Sequence, residues 1–434
     1  MTKRRSSGRR QGLSFGWETQ NGAPAGFGFT RGASGSGGSD VPQIVSDTGE
    51  GHALVIAETG GGKGRNFLIP YLLESHNSMV VIDPKGEAAS ITARRRRQMG
   101  QEVVIIDPFR IVSDETATFN PLDLVSRDPQ ERIEDAAEVA ATIVGEGSHH
   151  DMFWDNWSQS LISAMVSAVI ATQPDEANLG RVWKHFHGSD TSYELAVLLD
   201  TVGKQMDEVS YGHIAGFLQL PDRETRPSVL GTVQQHIRLF GNPLVKTAMH
   251  TTSFDLAALR DGRPLTIYLV IPPNKIRSHA PMLRIWLWAI LTAMVRRPTN
   301  PVLPTLFLID EFAHIGAFPL LEDCVTVMRG YGVRMVLFLQ HVEQLAKLYP
   351  NSVKTIVGNC SAIAAFGISN AAMAEPIAKL IGDISADQLI AMAPDELALR
   401  LRKAPTRLIK KLDYLSDRHF RGRFDSNPRY GNSR

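Results

Sequence analysis

With 434 residues, 46 Lys and Arg against 45 Asp and Glu and a net charge of +1, the chain has no global field that advertises nucleic acid or membrane lipid. Its 43% hydrophobic content is that of an ordinary globular protein long enough to bury one large core or two. The two cysteines, Cys324 and Cys360, have neither zinc nor disulfide-framework spacing and fit a reducing, cytoplasmic home.

Residues 1–50 are poor in aliphatics and contain "RGASGSGGSD". They read as a disordered Gly/Ser/Arg-rich tail. Its cluster Lys3, Arg4, Arg5, Arg9 and Arg10 serves solubility, or touches acidic lipid or nucleic acid. Three buried-strand signatures follow: "ALVIA" (53–57), "SMVVID" (78–83) and "EVVIID" (102–107). Each is a short β-branched run ending at a polar or Gly-rich corner. From 128 to 250 such runs vanish and 3.6-residue periodicity takes over, which predicts an inserted all-α segment. Strand signatures return at "LTIYLVIP" (265–272), "PTLFLIDEF" (304–312), "RMVLFLQ" (334–340) and "SAIAAFGI" (361–368). Strands alternating with helices predict an α/β fold around a parallel sheet. "MLRIWLWAILTAMV" (282–295) is shorter than the roughly 18–20 residues of a membrane span and contains Arg284. It reads as a buried core helix. The last residues, 401–434, read as a basic tail; "RHFRGRF" interleaves charge and aromatics as single-strand binders do.

"AETGGGKGR" (57–65) has the rhythm of a phosphate-binding loop, with Ala57 at the first Gly position and Gly64 where Ser or Thr usually stands. Backbone N–H groups at a helix start attract anions, and Gly60, Gly61 and Gly62 let phosphate oxygens approach. Lys63 would place a point charge on the β- and γ-phosphates. The candidate nucleotide cradle is Glu58, Thr59, Gly60, Gly61, Gly62, Lys63, Gly64 and Arg65. "LFLIDEFAHIG" (306–316) is an apolar strand ending in two carboxylates. In an open α/β sheet a strand's C-terminal end faces the ligand crevice. Asp310 would hold Mg2+, directly or through water, and Glu311 would polarise an attacking water as general base. Gln340, ending the next strand, stands where a γ-phosphate sensor would.

These segments, in this order with "DPKGE" (83–87) and "FNPLD" (119–123), resemble the type IV secretion coupling proteins, the TraG-type conjugative DNA-transfer ATPases, over about residues 50–400. Many members of that family carry Lys-Gly where other loops carry Lys-Ser or Lys-Thr. The resemblance implies a RecA-like P-loop ATPase domain over 51–127 and 251–400, with the all-α domain of 128–250 inserted. It implies ATP and Mg2+ bound between the protomers of a hexameric ring. It also implies delivery of relaxase-bound single-stranded DNA, or of effector proteins, to a channel of secretion ATPases and inner-membrane components. An arginine from the neighbouring protomer would complete the site: Arg329 matches, and Arg334 is its rival. Family members usually begin with membrane-spanning helices, which are not seen here. The expectation is a naturally anchorless branch, cytoplasmic and peripheral at the inner membrane through partners; the alternative is a shortened chain.

Two other function classes remain open at this point. One is a substrate receptor whose nucleotide only sets conformation. The other is a DNA pump of the cell-division type, against which "DPKGE" and "FNPLD" weigh. Lys85 and Glu87 either contact nucleotide or a neighbouring subunit, or form a structural turn. Arg94 to Arg97 point around a helix and read as a solvated face or a DNA-contacting surface. His149–His150 has no second ligand pair at zinc spacing. Trp154 and Trp157, three apart, read as core, with base stacking as the alternative.

Overall fold

The computed structural model describes residues 12–18, 43–49, 51–145, 152–310, 316, 319–402 and 404–429. Among them one sheet holds eleven strands: β1 (Leu13–Trp17), β2 (Ile44–Asp47), β3 (His52–Ala57), β4 (Met79–Ile82), β5 (Glu102–Ile106), β6 (Leu265–Leu269), β7 (Thr305–Ile309), β8 (Val333–Leu339), β9 (Cys360–Phe366), β10 (Glu396–Leu401) and β11 (Arg407–Lys411). The spatial order is β2-β1-β11-β10-β9-β3-β8-β7-β4-β6-β5.

The seven strands from β9 to β5 are parallel, and they are the seven apolar runs of the sequence. Helices cover both faces, so every position along the central strands must be apolar. The two faces separate cleanly. Leu54, Ile56, Phe307 and Ile309 enter one core, while Ala53, Val55, Leu306 and Leu308 enter the other. The remaining strands, β10, β11, β1 and β2, add antiparallel to this block at the β9 edge.

The segment between β5 and β6 is helical, with long members Pro129–Val144, Met152–Thr172, Thr191–Val202, Glu208–Leu218 and Thr225–Ile237. Several starts are set by short acceptor side chains. Asp128 takes the N–H groups of Gln130 and Glu131, Asp190 that of Tyr193, and Asp207 that of Ser210. β5 and β6 are neighbours, so this run leaves and re-enters at the sheet's edge. Its core is continuous with one sheet face: Leu161, Met165, Phe217 and Val233 join the cluster that contains Leu54 and Phe307.

The helix Ala280–Val295 is buried along most of its length. Its indoles find partners inside the protein, Trp286 Nε1 on the Phe119 carbonyl at 2.9 Å and Trp288 Nε1 on Glu138 Oε2 at 2.9 Å. Among the described residues no helix is long and apolar enough to cross a membrane.

Three expectations need correction. Residues 1–50 are not wholly a tail: β1 and β2 are strands of the sheet, and Leu13 and Phe15 are fully buried. The basic cluster at 3–10 and "RGASGSGGSD" lie outside the described residues. Residues 401–434 are not simply a basic tail either. β11 pairs with β10 and β1, and Leu412, Tyr414 and Phe420 pack on Ile69, Leu73 and Ile91. Two of the charged residues of "RHFRGRF" turn inward: His419 Nε2 and Arg423 Nη1 each lie 2.6 Å from Glu74 Oε1, while Arg418 and Arg421 are exposed. Last, the four arginines of helix Glu87–Gln98 are neither a solvated face nor a DNA surface as a unit. Arg94 pairs with Asp425 and Arg95 reaches the Leu73 carbonyl, while Arg96 is fully buried.

Candidate nucleotide site

The glycine loop is built by backbone geometry. β3 ends at Ala57, and the Gly61 N–H bonds back to the Glu58 carbonyl at 3.0 Å. Gly62 has φ 94°, and a Cβ there would stand 2.1 Å from Asn66 Oδ1, so only glycine is tolerated. The Asn66 N–H returns to the Gly62 carbonyl at 2.7 Å and starts the helix. The first turn, Gly64–Leu68, has the wide π-helical spacing, with Ile69 N–H bonded to the Gly64 carbonyl. Pro70, which has no N–H to return, follows at once.

Lys63 Nζ bends back onto the Ala57 carbonyl at 3.1 Å and so stays at the loop mouth. Glu58 and Arg65, two members of the predicted cradle, have structural partners. Glu58 accepts from the Ser369 N–H and hydroxyl at 2.8 Å each. Arg65 forks onto Asp413, Nε to Oδ1 at 2.8 Å and Nη2 to Oδ2 at 2.5 Å. Thr59 and Gly60 are exposed. Two cavities open beside the loop. The larger, about 690 Å3, is walled by Gly60, Gly61, Gly62, Trp17, Lys410 and Lys411 among others. The smaller, about 360 Å3, runs from Glu58 and Thr59 to Ser369 and Met392.

β8 lies between β3 and β7, and all three are parallel. Leu337 pairs with both Leu54 and Ile309, so Asp310 follows its strand at the same edge of the sheet as the glycine loop. Two ladder steps of about 4.8 Å put those strands roughly 10 Å apart, a span that a triphosphate and its metal fill. Gln340 leaves β8 between them, half-buried, its N–H held by Gln344 Oε1 at 2.8 Å. The segment 311–315, and with it Glu311, lies outside the described residues, as do His149 and His150.

The sequence reading passed over Asp83. It ends β4 one strand beyond β7, level with Asp310. It is almost fully buried, and its Oδ2 accepts the Ala89 N–H at 2.8 Å. Burial above all, with the charges of Asp310 and Glu87 beside it, pushes its carboxyl up to about 6. Lys85 is exposed, and Glu87 faces Arg429 at 3.7 Å, a turn with an ion pair.

The two arginines differ in burial. Arg334 is 4% exposed and occupied: Nε donates to the Gly51 carbonyl at 2.7 Å and Nη2 to Asp47 Oδ2 at 3.0 Å. It ties β8 to β2 and is not available to a neighbouring molecule. Arg329 is exposed on the short helix Met328–Tyr331 that precedes β8. The strand's seven residues, at about 3.3 Å each, hold it some 20 Å from the loop edge of its own chain. Trp154 and Trp157 are half-buried against the core.

A family model described as "Type IV secretory system Conjugative DNA transfer" matches residues 16–389. The chain belongs to this family. Among its curated relatives, "Protein VirD4" of Rhizobium radiobacter is 27% identical over 315 residues, covering 70% of this chain and 44% of the relative. "Conjugal transfer protein TraG" of the same organism is 26% identical over 361 residues, covering 81% and 55%. The chain thus spans about half the length of the curated relatives it matches. The solved structure of the bacterial conjugative coupling protein TrwBdeltaN70 superposes with a TM-score of 0.65 at 16% identity, over 83% of this chain and 84% of that one. The fold is therefore that of TrwB: a mixed, mostly parallel sheet with a large helical complement.

Trp17, Lys410, Lys411 and Asp413 are the residues near the loop that a sequence reading misses. They come from the antiparallel edge and carry no motif.

A Cβ at Gly64 meets nothing within 4 Å. Gly64→Ser therefore folds without strain and adds the hydroxyl of a full phosphate loop. The expected result is a lower Mg2+ concentration for half-maximal nucleotide turnover. An unchanged Mg2+ titration would show that the position plays no part in metal binding.

Proposed function

We propose that this chain is a nucleoside-triphosphate-hydrolysing coupling protein that delivers single-stranded DNA, relaxase-bound, or protein substrates to a type IV secretion channel. The observation that carries the reading is the convergence of the glycine loop and Asp310 at one sheet edge, on strands separated only by β8. TrwB, whose fold this chain shares, has been solved with non-hydrolysable GTP and ATP analogues and with ADP and Mg2+, which supports a nucleotide at the corresponding loop.

In this reading the N–H groups of Gly60, Gly61 and Gly62 hold the phosphates, and Lys63 swings off the Ala57 carbonyl onto the β/γ oxygens. Asp310 would hold Mg2+ with water in place of the hydroxyl that Gly64 lacks; the ion supplies charge neutralisation between the phosphates. The loop's carbonyls and Asp310 are all oxygen donors, the donor class that Mg2+ takes. Glu311 orients the attacking water, and Gln340 senses loss of the γ-phosphate. Arg329 enters from the next protomer, because its own loop is out of reach. The functional unit is then a ring, six-membered as the family resemblance implies, lying at the cytoplasmic side of the inner membrane. Its partners are relaxase or effector proteins and the channel's own ATPases and membrane components.

The test is nucleotide turnover against protein concentration, with and without single-stranded DNA. Turnover per protomer should rise steeply as rings form, and should rise again on adding DNA in a salt-sensitive way. Relaxase binding with no turnover at any concentration would replace the motor with a nucleotide-set receptor.

A further inference from the structure

A third cavity lies away from the glycine loop, between the helical insertion and the start of helix Ala280–Val295. It measures about 470 Å3, within the roughly 300–1,000 Å3 range of ligand pockets. Three guanidinium groups line it: Arg238 and Arg277, both exposed, and Arg284, half-buried. Among the described residues no carboxylate pairs with any of the three. Among those residues Arg284 makes one long hydrogen bond, Nε to the Thr142 carbonyl at 3.4 Å. Burial lowers its guanidinium's pKa, the direction expected of a cation without a counter-charge.

His279 also lines the cavity and is 7% exposed. Its Nδ1 lies 3.1 Å from the Lys275 carbonyl and 2.9 Å from Ser278 Oγ, while its buried Nε2 has no partner. His236, on the opposite wall, is engaged with Asp155 Oδ1 at 3.2 Å. Ile143 and Leu239 make part of the wall apolar, and among the described residues no Phe, Tyr or Trp lines the cavity.

We propose that this cleft binds the phosphodiester backbone of single-stranded DNA. The inference rests on the DNA-delivery reading above and adds the contact site. Three guanidinium groups that no described carboxylate pairs suit a phosphate, and Ile143 and Leu239 suit a sugar edge. Contacts to phosphate and sugar carry no base information, so binding is indifferent to sequence. That suits a protein that must pass any strand. The cleft also borders Gly316, where a Cβ would lie 3.6 Å from Arg284 Nη1.

The experiment is fluorescence anisotropy of labelled oligo(dT) and oligo(dA) 20-mers against the full chain, across a salt series. The comparison is wild type against the double variant Arg238→Gln/Arg277→Gln. Both sites are exposed, so the unfolding midpoint should move by no more than about 2 °C. The variant should bind at least about tenfold more weakly, and its log–log salt slope should fall by about 1.4, or 0.7 per lost phosphate contact. The two oligonucleotides should bind wild type equally. Wild type that binds DNA with the variant matching it in affinity and slope overturns the cleft alone and leaves the delivery reading standing. Wild type that binds neither oligonucleotide overturns both. Two competitors decide the ligand class. Inorganic phosphate binding that depends on these arginines while DNA binding does not would make this a free-phosphate site. A poly-Glu peptide that binds in their place would assign the cleft to acidic protein segments.

Discussion

Arg329→Ala is expected to lower nucleotide turnover by roughly 10³–10⁵-fold, the worth of an arginine supplied in trans to a phosphoryl-transfer site. The reason is geometric. Arg329 sits at the edge of the sheet opposite the glycine loop, exposed, so it is useless to its own site and well placed for a neighbour's. Lys63→Ala should be equally inactive, for a reason confined to its own loop. The two dead variants should then rescue each other. In a one-to-one mixture up to about a quarter of head-to-tail interfaces would carry an intact lysine from one partner and an intact arginine from the other. Activity that stays at background on mixing, with rings present by mass measurement, would reject the trans assignment. A loss of less than about tenfold for Arg329→Ala alone would also reject it. Arg334→Ala cannot serve as the comparison, because removing it strands Asp47 in the sheet.

The largest stability effect is expected at Arg96. Its guanidinium is fully buried and holds the end of the helix that begins at the glycine loop. Nη1 donates to the carbonyls of Leu72 and Ser75, Nη2 to that of Asn77 at 2.5 Å, and Nε to Thr266 Oγ1 at 2.9 Å. Burial lowers its pKa to about 10, so it is still a cation at neutral pH. Arg96→Met fills similar space but leaves those carbonyls dry. At about 1–3 kcal/mol for each buried group left unpaired, the expected loss is about 3–5 kcal/mol. That is a large part of the roughly 5–15 kcal/mol by which domains are stable. Urea unfolding of Arg96→Met and of Arg97→Met, an exposed neighbour, separates the cases. Equal midpoints for the two would show that the buried network contributes nothing.

What the sequence disclosed, and what it hid, follows from how each element is buried. The seven parallel strands are continuous apolar runs because both faces are covered. β10 and β11, "ELALRL" and "RLIKK", are antiparallel and partly solvated, so their charged residues disguise them as tail. β1 hides in a Gly-rich stretch for the same reason. The glycine loop and Asp310 were legible because backbone approach and strand-end carboxylates leave fixed spacings. Asp83 was not: its neighbour Asp310 is 227 positions away and only the β4–β7 register makes them adjacent. Arg96 was hidden by its three companions, since a helix advances about 100° per residue and one of four consecutive side chains must face inward.

The pairing of Arg65 with Asp413 joins positions 348 apart, and Asn66 Nδ2 adds a bond to the Leu412 carbonyl at 2.8 Å. Loss of the residues after β11 would therefore loosen the start of the loop's helix from the far end of the sequence, although nothing in that stretch carries a phosphate-loop motif.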